Sequence, residues 1–149
     1  MSQNRKLLKV FSLIQVLVAV FALVLGFVTI GSSEAAAGTT VDVFGMQLEG
    51  GMWTMLCGGL SIATGVLTFI SAALGIRGAN RPSSLGGHAP VSVFAAVCGI
   101  ASVVLAVSGG LLTWIVTAAA AILAVLAAVF DGRVRKELDR ERGGAPWLP

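Results

Sequence analysis

Four long stretches without a charged residue alternate with short polar segments along the chain. They cover residues 10–31, 52–76, 91–108 and 111–130. Each is close to the roughly 20 residues with which an α-helix crosses a hydrocarbon core about 30 Å thick. The pattern therefore predicts an all-α polytopic membrane protein, an antiparallel bundle of four transmembrane helices forming one domain over residues 1–149.

Small residues recur within these stretches at alternating steps of three and four. Helices in lipid associate through close contacts at small side chains, so these stripes are predicted to face neighbouring helices, and steps averaging about 3.5 residues predict a left-handed bundle. Leu67, outside the stripes, is expected to face lipid or a forgiving neighbour. The helix-packing candidates are Gln15, Ala19, Gly26, Gly58, Gly65, Gly75 and Gly99.

All 10 basic residues fall on one side of this arrangement. They precede the first stretch, follow the second and follow the fourth, and the other connections contain none. Because loops rich in Lys and Arg stay in the cytoplasm, both termini are predicted to be cytoplasmic and the protein to be a multi-pass protein of the cell membrane. Trp53 and Trp114 then fall at the outer interface, where amphipathic rings concentrate.

The first stretch has an alternative interpretation as a secretory signal, because basic residues precede it and Ala35, Ala36 and Ala37 follow it. A signal peptide, however, has an apolar core of only about 7–15 residues. The apolar run at 10–31 is longer, which favours an uncleaved first helix.

Two segments outside the stretches carry structure of their own. Residues 39–49 alternate partly around Gly45, which predicts a short β-hairpin in the first outer loop. In 131–142, opposite charges recur at helical spacing, so the fourth helix is predicted to continue into the cytoplasm as a solvated helix that ends at Gly143 and Gly144. Either this extension simply anchors the helix at the inner surface, or the apolar end at 146–149 docks onto a partner protein or into the inner leaflet.

Chemically reactive groups are sparse. An ionisable residue within a membrane span is the usual sign of an ion pathway. The four stretches contain no Asp, Glu, Lys, Arg or His. His88, the sole histidine, falls in the polar inner loop and is expected to be solvated. Cys57 and Cys98 lie at different depths and are expected to be unpaired packing residues. The sequence predicts no catalytic, cofactor-binding or metal-binding residues, and therefore not an enzyme.

Gln15 differs from the other polar residues of the stretches, because its own helix cannot satisfy the hydrogen bonds of its side-chain amide. We expect it to bond to a neighbouring helix or subunit, with contact to a solute as the alternative.

Part of the chain has the pattern of a known family. Leu13-Ile14-Gln15 precedes Gly26, Gly50-Gly51-Met52-Trp53 opens the second stretch, and Gly58-Gly59-Leu60-Ser61-Ile62-Ala63 follows. Over residues 11–65 this resembles the membrane-spanning four-domain family A, tetraspans that include a B-cell surface marker. The resemblance implies a non-enzymatic, oligomeric membrane protein with cytoplasmic termini. The chain departs from the family in its short second outer loop, which lacks cysteines.

These observations predict a non-enzymatic integral membrane protein that acts through helix packing and oligomerisation, as a self-associating tetraspan or a small subunit of a membrane complex. Its partners would be the lipid bilayer and further copies of itself or other membrane proteins, with no nucleic acid and no cofactor. The alternative is a channel or transporter for a small uncharged or weakly polar solute, lined by Ser, Thr and Gly, with a pore between subunits.

Overall fold

The computed structural model describes residues 3–81, 86–107 and 111–143, with side chains up to Arg140. The predicted turn at 108–110 and the apolar end at 146–149 lie outside the described residues. The elements in chain order are α1 (Gln3–Gly31), α2 (Ser33–Ala36), β1 (Thr40–Val43), β2 (Met46–Glu49), α3 (Gly50–Asn80), α4 (His88–Ala106) and α5 (Leu111–Gly143).

Four of these helices are long and apolar enough to span a membrane, namely α1, α3, α4 and α5. Their outward surfaces carry large hydrophobic side chains such as Leu17, Phe27 and Phe94, each more than 60% exposed. Their buried surfaces carry mainly Ala, Gly, Ser and Thr. This distribution is the reverse of that in a water-soluble domain and is typical of helices that pack in lipid.

The long helices form an antiparallel bundle in the order α1, α3, α4, α5, with α5 returning to α1. Tight crossings occur where two helix backbones meet at glycine. A Cβ atom at Gly26 would lie 2.9 Å from the carbonyl oxygen of Gly58, and one at Gly58 would lie 2.8 Å from that of Gly26. Gly65 lies in the same way against Ala19 and Leu23 of α1. The left-handed crossing predicted from the sequence stays a prediction.

The helices extend beyond the predicted stretches at several ends. The first begins at Gln3 rather than residue 10, the second covers Gly50–Asn80 rather than 52–76, and the third begins at His88 rather than residue 91. Hydropathy marks only the part of a helix that is apolar, whereas backbone hydrogen bonds continue into the polar flanks. The extra turns matter because they carry ionisable residues into the bundle.

The β-hairpin predicted around Gly45 is present. Strands β1 and β2 pair antiparallel, with Val43 opposite Met46 at the turn. The turn residues Phe44 and Gly45 have φ of 53° and 84°, the left-handed values that two-residue hairpin turns require. Asp42 Oδ1 accepts a hydrogen bond of 2.9 Å from the Gly45 N–H, which fixes the turn.

Glu49 joins the hairpin to the start of α3. Its carboxylate accepts hydrogen bonds from the backbone N–H groups of Gly51, Met52 and Gly38. These bonds, that from Gly51 foremost, lower the pKa of Glu49 below its usual value. A capping carboxylate at a helix N-terminus also complements the helix dipole, so the hairpin and the helix are held together at this point.

Helix α5 continues without a break to Gly143, but its extension is not solvated on all sides as the sequence predicted. Val134 is fully buried against Leu8 of α1 and Ala79 of α3. Asn4 also donates a hydrogen bond to Glu137 Oε1. The charge pattern located the polar face of the extension but could not reveal that the extended ends of α1 and α3 cover its other face.

Candidate functional site

The interior of the bundle is polar along most of its length. Helix α3 places a row of buried hydroxyl groups there, which extends about 26 Å at 1.5 Å per residue. Its members are Thr54, Ser61, Thr64, Thr68 and Ser71. With the buried side chains that α1 and α4 add at the same depths, Ser12, Gln15, Ser92 and Ser102, they form what we call the polar column.

Several hydroxyls of the polar column join two helices. Ser61 donates a 2.9 Å hydrogen bond to the carbonyl oxygen of Ala22 in α1. Thr64 and Ser102 are 3.0 Å apart, and Ser71 and Ser92 are 2.8 Å apart, so two pairs connect α3 with α4. Each interhelical bond of this kind stabilises a membrane bundle by about 0.6–2 kcal/mol.

Three members of the polar column are buried without such a partner. Ser12 Oγ, Thr68 Oγ1 and both amide atoms of Gln15 form no hydrogen bond with any residue in the described part of the chain. All three side chains have 0% exposure. Leaving a buried amide unbonded costs about 2–7 kcal/mol, and buried water is the common partner of such groups. The middle of the polar column therefore presents hydrogen-bonding groups to which water or a polar solute would bond.

At one end of the bundle, where α1 begins and α5 leaves it, the column ends in ionisable groups. We call this end of the bundle the terminal end. His88 is 0% exposed and Asp131 is 1% exposed. His88 Nδ1 is 3.3 Å from Asp131 Oδ1, and Arg135 Nε is 2.9 Å from Asp131 Oδ2. The Arg135 side chain is 41% exposed and also donates to the carbonyl oxygen of Gly86. We call these three residues the His88 cluster.

His88 connects the cluster to the hydroxyls. Its Nε2 atom is 3.3 Å from Ser92 Oγ, which in turn bonds to Ser71. Its Nδ1 atom lies on the other side of the ring, 3.3 Å from Asp131 Oδ1. An imidazole with its proton on Nδ1 would present that proton to the carboxylate and the lone pair of Nε2 to Ser92. The imidazole thus has uncharged hydroxyls on one side and an ion pair on the other.

This burial contradicts the expectation that His88 is solvated in a loop. The side chain fits because Gly75 has none: a Cβ atom there would lie 3.0 Å from His88 Nε2 and would overlap Ser12 Oγ. A signal was present in the sequence. His88 precedes Ser92 by four residues and Asp131 follows Ala127 by four, so both extend the buried faces of their helices by about one turn.

The opposite end of the bundle, which bears the hairpin, contains a cavity of about 250 Å³. All four long helices line it, through Thr29, Thr54, Trp53, Cys57, Ala106 and Thr113 among others. Trp53 Nε1 is buried and bonds to no described residue, so it offers a donor at the cavity wall. We call this the hairpin-end cavity.

The remaining predicted site residues occupy varied places. Gly99 packs against Ala121, where a Cβ atom would lie 2.9 Å from the Ala121 Cβ. Trp53 and Trp114 both lie at the hairpin end, with Trp114 40% exposed. Cys57 and Cys98 are free thiols. Within residues 3–81, 86–107 and 111–143, no three His, Cys, Asp or Glu side chains are grouped to hold a metal ion.

No protein-family model, curated protein or solved structure matches this chain. The resemblance of residues 11–65 to the membrane-spanning four-domain family A stays a prediction.

Proposed function

We propose that this protein is a non-enzymatic channel or transporter for a small uncharged or weakly polar solute, which passes through the interior of a single bundle. The observation that carries the proposal is the polar column, which leads from the hairpin-end cavity to the His88 cluster. The column includes buried polar groups that no described residue satisfies, and a passing solute or water would satisfy them.

The composition of the column favours an uncharged solute. Between Thr54 and Ser71, its described side chains offer hydroxyl and amide groups and no charge. A bare ion would lose its hydration there without a counter-charge, whereas a small molecule could exchange hydrogen bonds from one hydroxyl to the next.

The leading prediction from the sequence was that the protein acts by associating with itself or with other membrane proteins. One argument for that prediction is weaker in the folded bundle. The stripes of small residues that suggested it lie largely against helices of the same chain, as at Gly26, Gly65 and Gly99. Oligomerisation through other surfaces stays a prediction. Mass measurement in mild detergent checks it against the 15.2 kDa of one chain.

The proposal includes the orientation with both termini in the cytoplasm, so that the hairpin-end cavity opens outward. In a variant without Cys57 and Cys98, a cysteine at Asp42 should react with an impermeant maleimide added to intact cells. A cysteine at Asp139 should react only after the cells are permeabilised. The reverse pattern would show that the basic segments lie outside and would overturn this orientation.

Transport is testable in liposomes that contain the purified protein. We expect water, glycerol or urea to cross faster than in protein-free liposomes, measured by stopped-flow light scattering. Thr68→Val keeps the shape of the side chain but removes a hydroxyl from the middle of the column. It should slow the solute about fivefold, the effect of roughly 1 kcal/mol on a rate.

Val66→Ile is the matched control, because Val66 is 43% exposed on the outer face of the same helix. It should transport at the wild-type rate. Wild-type protein that moves none of the three probes faster than lipid alone would reject the proposed function.

A further inference from the structure

The His88 cluster has a property that a passive solute path does not require. A titratable ring is buried between the polar column and a carboxylate, and each ring nitrogen contacts a different side. From this geometry we infer that the same column also conducts protons, and that His88 is the group through which each proton passes to the terminal end. The inference rests on the proposed function, because both use the polar column.

The surroundings of His88 separate a proton-accepting side from a proton-releasing side. Helices α1, α3 and α4 present the hydroxyls of Ser12, Ser71 and Ser92 near Nε2. The charged groups of the cluster both come from α5: Asp131, in contact with Nδ1, and Arg135 behind it. A proton that arrives through the column therefore meets Nε2 first.

The transfer conserves atoms and charge. A proton carried by water in the column binds the lone pair of Nε2, which forms an N–H bond and gives an imidazolium. The Nδ1–H bond then breaks as its proton moves to Asp131 Oδ1, which leaves a neutral ring and a carboxylic acid. Asp131 releases the proton to water on the terminal side. The neutral ring then carries its remaining proton on Nε2, and exchange with water, which takes that proton and gives one to Nδ1, restores the starting tautomer.

Arg135 acts as a positioning residue in this scheme. Its Nε holds Asp131 Oδ2 at 2.9 Å, which leaves Oδ1 directed at His88. Its side chain is partly exposed, so the cluster lies next to solvent on the terminal side while His88 itself is sealed. Gly75 lets Ser12 and His88 Nε2 lie against the same point of α3, because a Cβ atom there would overlap Ser12 Oγ and lie 3.0 Å from Nε2.

Proton flux is measured in liposomes that contain the full-length protein and a pH-sensitive dye. A potassium diffusion potential, negative inside, drives the protons inward. We expect wild-type protein to acidify the interior, and His88→Gln to reduce the rate about 100-fold or to the protein-free level, as loss of a proton-transferring side chain does. Water and glycerol flux should fall much less than proton flux in this variant, because glutamine still offers hydrogen bonds to a solute but cannot take up and release a proton.

The control is Arg133→Gln. Arg133 is exposed and stacks on Phe130, so its loss changes the net charge but not the cluster.

The outcomes separate the two proposals. Solute flux without proton flux in the wild type, or a His88→Gln variant that conducts protons like the wild type, would overturn the relay and leave the solute path standing. Absence of both fluxes would reject both. If thermal melting shows that the His88→Gln variant is not folded, Ser92→Ala is tested instead. Ser92→Ala removes the contact with Nε2 and should slow protons more than glycerol.

Discussion

Replacing Asp131 with alanine should lower the free energy of unfolding by about 2–4 kcal/mol. Asp131 is 1% exposed and lies 3.3 Å from His88 and 2.9 Å from Arg135, so its removal leaves the buried imidazole without the carboxylate beside it. Arg135 can turn to solvent, which keeps the expected loss below that of a fully buried pair. Denaturant unfolding in detergent, followed by tryptophan fluorescence, measures the change.

The matched control is Asp139→Ala, which removes the same charge from an exposed position two turns further along α5. It should change stability by less than about 0.5 kcal/mol. A double-mutant cycle of His88→Ala with Asp131→Ala should show a coupling of about 0.5–3 kcal/mol. Strictly additive effects would mean that the contact between the two side chains contributes nothing.

Gly58→Leu should destabilise the bundle by about 3 kcal/mol or more, because overpacking at a contact between backbones cannot be relieved by a side-chain rotation. Its Cβ atom would lie 2.8 Å from the carbonyl oxygen of Gly26 and 2.6 Å from Ile30 Cγ1. Helices α1 and α3 would have to separate along their main crossing. The same unfolding measurement detects the loss.

The chain supplies a control at the adjacent position. A Cβ atom at Gly59 meets no atom within 4 Å, so Gly59→Leu should be neutral or slightly stabilising, as expected when glycine leaves a helix. Leu67, which the sequence suggested as a silent position, is unsuitable because it packs against Ala95, Ala96 and Ala124. Equal losses at Gly58 and Gly59 would disprove the close crossing.

Much of the architecture could be predicted from the sequence, because it depends on regularities along single helices. Uncharged stretches of sufficient length gave the four helices, since a backbone in lipid must satisfy its own hydrogen bonds. The stripes of small residues located the buried faces, because side chains three and four positions apart share a face. Gly45 located the hairpin turn, where φ must be positive.

The candidate site was decided by tertiary structure. Periodicity assigns a residue to a face but does not say which residue of another helix lies at the same depth, so the pairing of Ser71 with Ser92 and of His88 with Asp131 was not predictable from it. Hydropathy also placed His88 and Asp131 in the polar segments that flank the apolar stretches. Burial of two such groups becomes tolerable only when each neutralises or bonds the other, and that depends on the folded bundle.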